Sequence, residues 1–512
     1  MVSDHNGMNR RAFLKQGTAL GLGALLGGSW ATRRSFAASR ERLTILSSIG
    51  LDTLNPYAHS SAPQYGAWNH IIEPLVEVNY ARREYFGVLA ESWEFQEKKW
   101  VFHLRKGIRF HDGSPFTSKD VSHSINRIKN DKQSLQAPSL ADVTEIQAPD
   151  DYTVIITTEA PNAVLLDRLD NRFMISKAAA DKYGDQVDQY AIGTGPYKFV
   201  SWQRDGNLVM TRNDNYWGPK AAIKEIVLKR VAEDAARVAG LIAGQGDLIN
   251  NVPVEELLRF DKHPRVRAER VEGLRMYFLA MNVTHKPFDN KLVRQAINYA
   301  VDPTAVIKYI YEGNGYVMNG PVGVNVIGFD PKVKRYPYDP KKAKELLTKA
   351  GFSNGLEVKL YFSPDRYPKA REVCQVIADQ LAKAGIKTEL VSQEFVIFWG
   401  KDGVNGGKLP FYYVGRPAID ADTVYVQYFR SGSSKRIEYK NPEFDRLIDE
   451  EQRTGDPKKR VAILQEASRI LMEDVPFAPL YTLAELYGVA RNVIWKARPD
   501  EKVLCADMKI RS

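Results

Sequence analysis

Apolar and polar positions along this chain follow two periods, and each change of period marks a new element. "RLTILSSIGLDTLNPY" is an apolar run that gives way to a polar loop and a proline, the pattern of a first strand whose end is delivered to a cleft. From Trp93 to Phe110, "WEFQEKKWVFHLRKGIRF" alternates apolar with polar residues and predicts a hairpin with one buried face. Asp112-Gly113 supplies the next turn, and Thr117 or Ser118 caps a helix over the run from Asp120 to Ile128. "DDYTVIITTEAP" predicts a strand closed by proline, and "GTGPYKFVSW" with "GNLVMTRNDNYWG" predicts paired strands with glycine and proline at the corners. The period then changes to helical, with Ala235, Val238, Leu241 and Ile242 on one face until Gly244 and Gly246 end the run. Helices over "NKLVRQAINYAVD" and "PKKAKELLTKAG", a strand at "LEVKLYFSP", a helix reaching Gly385 and a strand at "KTELVSQ" continue the alternation. Two amphipathic helices with proline-bearing starts, "NPEFDRLIDEEQRT" and "DPKKRVAILQEASRILMEDV", come near the end. Strands alternating with helices in this way predict α/β lobes with mixed sheets.

The first 38 residues differ in kind. Arg10-Arg11 precedes Ala12-Phe13-Leu14-Lys15, then an apolar stretch from Ala19 to Trp30, then small residues around Ala37 and Ala38. These are the parts of an export signal, and the arginine pair followed by x-Phe-Leu-Lys matches the twin-arginine route. Cleavage near Ala37 or Ala38 removes Arg10, Arg11, Lys15, Arg33 and Arg34 with only Asp4, so the formal charge of +10 overstates the mature chain. Basic residues elsewhere are scattered among acidic ones, which argues against a nucleic-acid partner. No other apolar run is long enough to span a bilayer, so the mature protein is expected in the periplasm, without a lipidation cysteine near the cleavage point. Cys374 lies among Val373, Val376, Ile377 and Leu381 on a helical face and is expected as a core thiol. With Cys505 as the only other cysteine, a four-cysteine metal site is excluded, and no metal or other cofactor is expected.

Seven segments resemble, in order, the family 5 extracellular solute-binding proteins of ABC importers, the peptide- and nickel-type periplasmic binding proteins. They are "LAESWEF", "FHLRKGIRFHDGSPFTSKDV", "GTGPYKFVSW", "RNDNYWG", "MNVTHKPFDNKLVRQAINYAVD", "AKELLTKAGF" and "NPEFDRLIDE". The resemblance implies a type II-like periplasmic binding fold of two clamp lobes with hinge strands plus an appended third lobe. On that analogy residues 40–60, 192–282 and 477–512 form lobe I, 61–191 lobe II and 283–476 lobe III. It implies a monomeric receptor that passes a small-molecule or oligopeptide ligand to an ABC permease in the inner membrane.

Peptide-binding members of the family hold the ligand's amino group with an aspartate that would fall on Pro417 in "YYVGRPAIDADTVYVQYF". Either Asp420 moves in to receive a cation, or no free peptide amino terminus is bound. Arg416 suits an anionic group, with pairing to a rim carboxylate as the plainer reading. Arg366 in "SPDRYPKA" sits near the place where some members hold a ligand carboxylate. Trp399 and Phe398 follow a strand expected to end at the cleft, as stacking faces or as core. Tyr57, His59 and Trp68 are candidates from the first lobe, and Tyr277 and Asn282 from the hinge segment. His103 and His111 lack the further ligands that a metal would need.

The competing class is an exported hydrolase of peptides or glycosides. No Gly-x-Ser-x-Gly elbow, His-Glu-x-x-His helix or cysteine–histidine signature supports it. A receptor for a metal chelate is the other alternative.

Overall fold

Two long strands, Val266–Met281 and Phe477–Ala490, run antiparallel through the middle of the molecule and supply residues to separate hydrophobic cores. Met276 to Met281 and Phe477 to Tyr481 enter a core built otherwise from residues between 288 and 472. At the other end Tyr487 and Val489 enter a second core, which gathers residues from Leu43 to Met508, while Val266 joins a small third cluster. The computed structural model describes residues 41–59, 61–204, 206–364 and 366–511. The expected twin-arginine segment and its cleavage point lie outside them.

The long pair is the spine of an eleven-stranded mixed sheet. On one side follow Phe411–Pro417, Leu356–Phe362 and Ile386–Ser392, and on the other Leu248–Asn250, Arg42–Ser47, Glu225–Arg230, Asn207–Arg212 and Tyr197–Trp202. Short strand Gly315–Val317 pairs on Phe477–Ala490. The long pair slips register between Glu272 and Met276 and again between Tyr277 and Phe278. A bulge of this kind re-aims side chains. Gly273 sits in it because a Cβ there would meet Glu485 Oε1 at 2.5 Å.

A separate antiparallel sheet, ordered Ala90–Gln96, Lys99–Leu104, Thr153–Thr158 and Val143–Asp150, forms part of the second core. Its alternation is as the sequence predicts: Trp100, Phe102 and Leu104 are buried, and Trp100 and Phe102 face Ile156 and Val154. Helix Ser118–Asn130 buries Val121, Ile125 and Ile128 on one face. Thr117 is its cap, and the Thr117 N–H donates to Asp120 Oδ2 at 2.8 Å, half of a capping box.

The "GTGPY" segment earns its glycines by close packing on Ile71. A Cβ on Gly193 would lie 2.0 Å from the Ile71 carbonyl oxygen. Gly195 N–H donates to that oxygen at 2.9 Å, and Tyr197 N–H donates to His70 O at 2.9 Å. His111 is wedged into the same junction against Gly195 O at 3.0 Å, and burial lowers its pKa to about 4. Beside it Glu73 accepts from Thr194 Oγ1 at 2.8 Å, Tyr216 Oη at 2.6 Å and Trp217 Nε1 at 2.8 Å, with burial raising its pKa to about 7.

The region around the four-stranded sheet also touches the first core. Thr423 Oγ1 donates to Asp167 Oδ2 at 3.1 Å, and Ala163 N–H donates to Gln452 O at 2.8 Å. Cys374 is buried on its helix face, and Cys505 is buried too; both are free thiols. Among the described residues no helix is long and apolar enough to cross a membrane.

Candidate functional site

Where the long strands slip register, the surface opens into a cavity of about 540 Å³. That volume is in the range of small-molecule sites, ~300–1,000 Å³. Its lining carries the acidic residues Asp234, Glu255, Glu485 and Glu501 and the basic residues Arg275, Arg366 and Lys369, with Tyr277 and Tyr311 among them. The lining is therefore charged with both signs. Burial, then the neighbouring Glu501, raises the Glu485 pKa to about 8, while Arg275 works in the opposite direction.

The floor is aromatic. Tyr277 stacks on Tyr481 and Tyr413 at 5.2 and 5.7 Å between centroids and meets Tyr367 edge-on at 5.7 Å. The hydroxyls of Tyr413 and Tyr481 are 2.8 Å apart, which fixes the stack. Gly415 lies below, and a Cβ there would press on the Tyr277 ring at 2.6 Å.

Of the residues singled out from sequence, Tyr277 and Arg366 line this cavity. Arg366 is exposed at its edge, its guanidinium 5.6 Å from the Phe395 ring centroid and 5.8 Å from that of Tyr367. Arg416 lies close by on strand Phe411–Pro417, opposite Met276, with its Nε buried and without a hydrogen-bond partner. Burial lowers its pKa below the ordinary guanidinium value, and Arg436 and Arg275 push the same way. Half-buried Trp399 lies under the Arg436 guanidinium at 5.4 Å.

The other candidates sit in packed interior. Phe398 is fully buried, edge-on to Tyr412 at 6.0 Å. Asp420 is an interior ion-pair partner: Arg460 Nη1 and Nη2 donate to its two oxygens at 2.7 and 2.9 Å, and it caps the next helical turn through Asp422 N–H. Tyr57 is buried and donates to Phe173 O at 2.9 Å. His59 is buried, its Nε2 3.1 Å from Thr53 O, with Trp68 buried beside it. Asn282 closes a turn, accepting from Thr284 and donating to Lys435 O at 3.2 Å. All of these side chains lie outside the cavity lining, and all but Trp68, whose Nε1 is buried without a hydrogen-bond partner among the described residues, have their rings or polar atoms committed to neighbours in the chain.

The sequence reading missed Arg275, Arg436, Glu485 and Glu501. Arg275 carried a usable signal, a lone charge inside the apolar run "LRMYFLAM". Glu485 and Glu501 did not, because their meeting with Arg275 depends on pairing across distant parts of the chain.

The family model "Bacterial extracellular solute-binding proteins, family 5 Middle" matches residues 84–436. The chain belongs to this family. It is a solute-binding component of an ABC importer and not an enzyme, and the family works outside the cytoplasm. Among relatives, the glutathione-binding protein GsiB of Pectobacterium atrosepticum is 30% identical over 414 residues, covering 77% of this chain and 80% of its own. The structure of HbpA2 from Haemophilus parasuis superposes with a TM-score of 0.85 at 25% identity, covering 92% of this chain and all of that one. The ABC transporter-associated periplasmic binding protein DppA from Helicobacter pylori, in complex with the peptide STSA, gives 0.71 at 28% identity over 92% of this chain and 98% of its own. The family 5 member described here thus has the type II periplasmic binding fold, with mixed sheets.

Proposed function

We propose that this family 5 receptor captures a polar, peptide-like solute in the cavity at the register slip and delivers it to its permease as a monomer. The single observation that carries the reading is that the cavity lies on two strands shared by separate cores. Two bodies joined by continuous strands close by bending those strands, and closure dries the polar contacts and strengthens them. The lobes on this reading are residues 40–60, 192–282 and 477–512 as lobe I, 61–191 as lobe II and 283–476 as lobe III; the separate core of the last region supports it as a body of its own, while the first two share one core.

On this reading Arg366 and Arg416 meet the solute's polar ends, Tyr277 forms the floor, and Trp399 is a stacking face at the side. The missing aspartate at Pro417 and the commitment of Asp420 to Arg460 argue against the ammonium anchor of peptide-binding members. Export by the twin-arginine route is supported by "RRAFLK". Native mass spectrometry of the mature protein from its own host tests the function. A bound small molecule, released chemically intact on denaturation, is the expected result. Bare protein in cells actively importing solute, or a released molecule that the protein has altered, overturns it.

A further inference from the structure

Four guanidiniums gather around the end of strand Phe411–Pro417, and among the described residues none has a carboxylate within ion-pair distance. Arg275 and Arg366 line the cavity, and both act electrostatically on the Tyr367 hydroxyl. Arg416 and Arg436 form a second pair, both acting on Tyr428. Arg436 lies over the Tyr428 and Trp399 rings at 5.1 and 5.4 Å, and its hydrogen bonds go to the neutral side chains of Asn405 and Gln427. Trp399 also acts on the Tyr367 hydroxyl, so aromatic rings lie between the two pairs.

Some enclosed guanidiniums elsewhere are neutralised, Arg460 by Asp420 and Glu451, Arg498 by Asp500 and Arg127 by Asp188. Others, such as Arg294 and Arg335, stand singly and donate to backbone carbonyls. Leaving four together without a carboxylate costs stability through mutual repulsion, and in Arg416 it adds a buried nitrogen with no acceptor. The same cavity is also lined by Glu485 and Glu501, which are close enough to act on each other and offer a cation a place.

From this arrangement, and resting on the receptor reading above, we propose that the solute is an amino-dicarboxylate. One carboxylate lies between Arg275 and Arg366, the second between Arg416 and Arg436, and the ammonium group faces Glu485 and Glu501. Planar forks of donors match carboxylates bidentately, which lysines would not do. A short acidic peptide or an amino-acid conjugate has this chemistry; a simple neutral peptide, with one carboxylate, leaves one arginine pair unanswered.

Calorimetric titration of the mature chain with three amino-dicarboxylates of increasing length, glutamate, γ-glutamylglycine and glutathione, tests the proposal against glutamine, trialanine and glutathione diethyl ester. At least one dicarboxylate is expected to bind roughly tenfold to a hundredfold more tightly than its neutral counterpart. Arg416→Gln and Arg366→Gln should each remove most of that preference. Arg366 is exposed, so its variant keeps the test valid even if the Arg416 change disturbs folding. No preference for any dicarboxylate, including no measurable binding of either set, overturns the proposal, as does a preference that survives both substitutions. The receptor reading fails separately, by the native mass spectrum above.

Discussion

Replacing Arg460 tests the assignment of Asp420 to the interior. Arg460 grips both oxygens of Asp420, and its Nε lies 2.8 Å from Glu451 Oε2, with both carboxyl side chains fully buried. Burial raises the Glu451 pKa well above the carboxylate range, with the Asp422 and Asp420 charges adding to the effect. Arg460→Met leaves Asp420 enclosed without its cation, a loss of about 3–5 kcal/mol. Asp420→Asn costs less, about 1–2 kcal/mol, because the amide oxygen still caps Asp422 N–H and Glu451 remains beside the guanidinium. For a cooperative unit of roughly 200 residues these losses lower Tm by about 10 °C and about 4 °C. Differential scanning calorimetry reads the order, and native mass spectrometry shows whether Asp420→Asn retains its bound solute. An Asn variant that melts like the wild type but comes out of cells empty would return Asp420 to the ligand site and refute the argument.

Glu73→Ala strands three donors, from Thr194, Tyr216 and Trp217, and should cost about 4 kcal/mol in a urea titration, whereas Glu73→Gln, which keeps one acceptor, should cost less. Asp167 is held protonated to about pH 7, chiefly by burial and then by Asp420 and Asp170, whereas in the unfolded chain it ionises near pH 4. Folding therefore takes up a proton between those values and stability falls as pH rises from about 4 to about 7; Asp167→Asn should match the wild type near pH 4 and exceed it at pH 8 by up to about 4 kcal/mol in melts across that range. Gly193→Ala drives a methyl into the Ile71 carbonyl and should cost at least about 3 kcal/mol or abolish soluble expression, read by yield and melting.

Local rules made much of the architecture legible. The helix Ser118–Asn130 could be placed because its capping box and its apolar spacing lie within a few residues of one another. The hairpin around Trp100 could be read because alternation alone decides which face is buried. Tyr57, His59 and Trp68 could not, since a polar loop after a strand indicates a cleft but not which way its rings turn. Here they turn inward, where helix Ala62–Asn69 and the glycines at 193 and 195 bring backbones together. Asp420 failed for a related reason: its partner Arg460 lies forty residues on and has no local signature.

Arg275 is the reverse case, because the local rule is broken in plain view. A guanidinium between buried Leu274 and Met276, where the strand turns from its charged first half into core, calls for a compensating charge. The chain brings Glu485 near enough to be felt but not within ion-pair distance, and it places Arg366 and Arg416 nearby, which makes the imbalance worse. A packed core would have been selected against such an arrangement, so the stability it gives up has to be recovered in another state of the protein. The state that recovers it is the one in which anionic groups lie between the arginines. On our proposal, then, the unpaired charges are what make the closed, loaded receptor differ in free energy from the open, empty one, and that difference is what a permease can read.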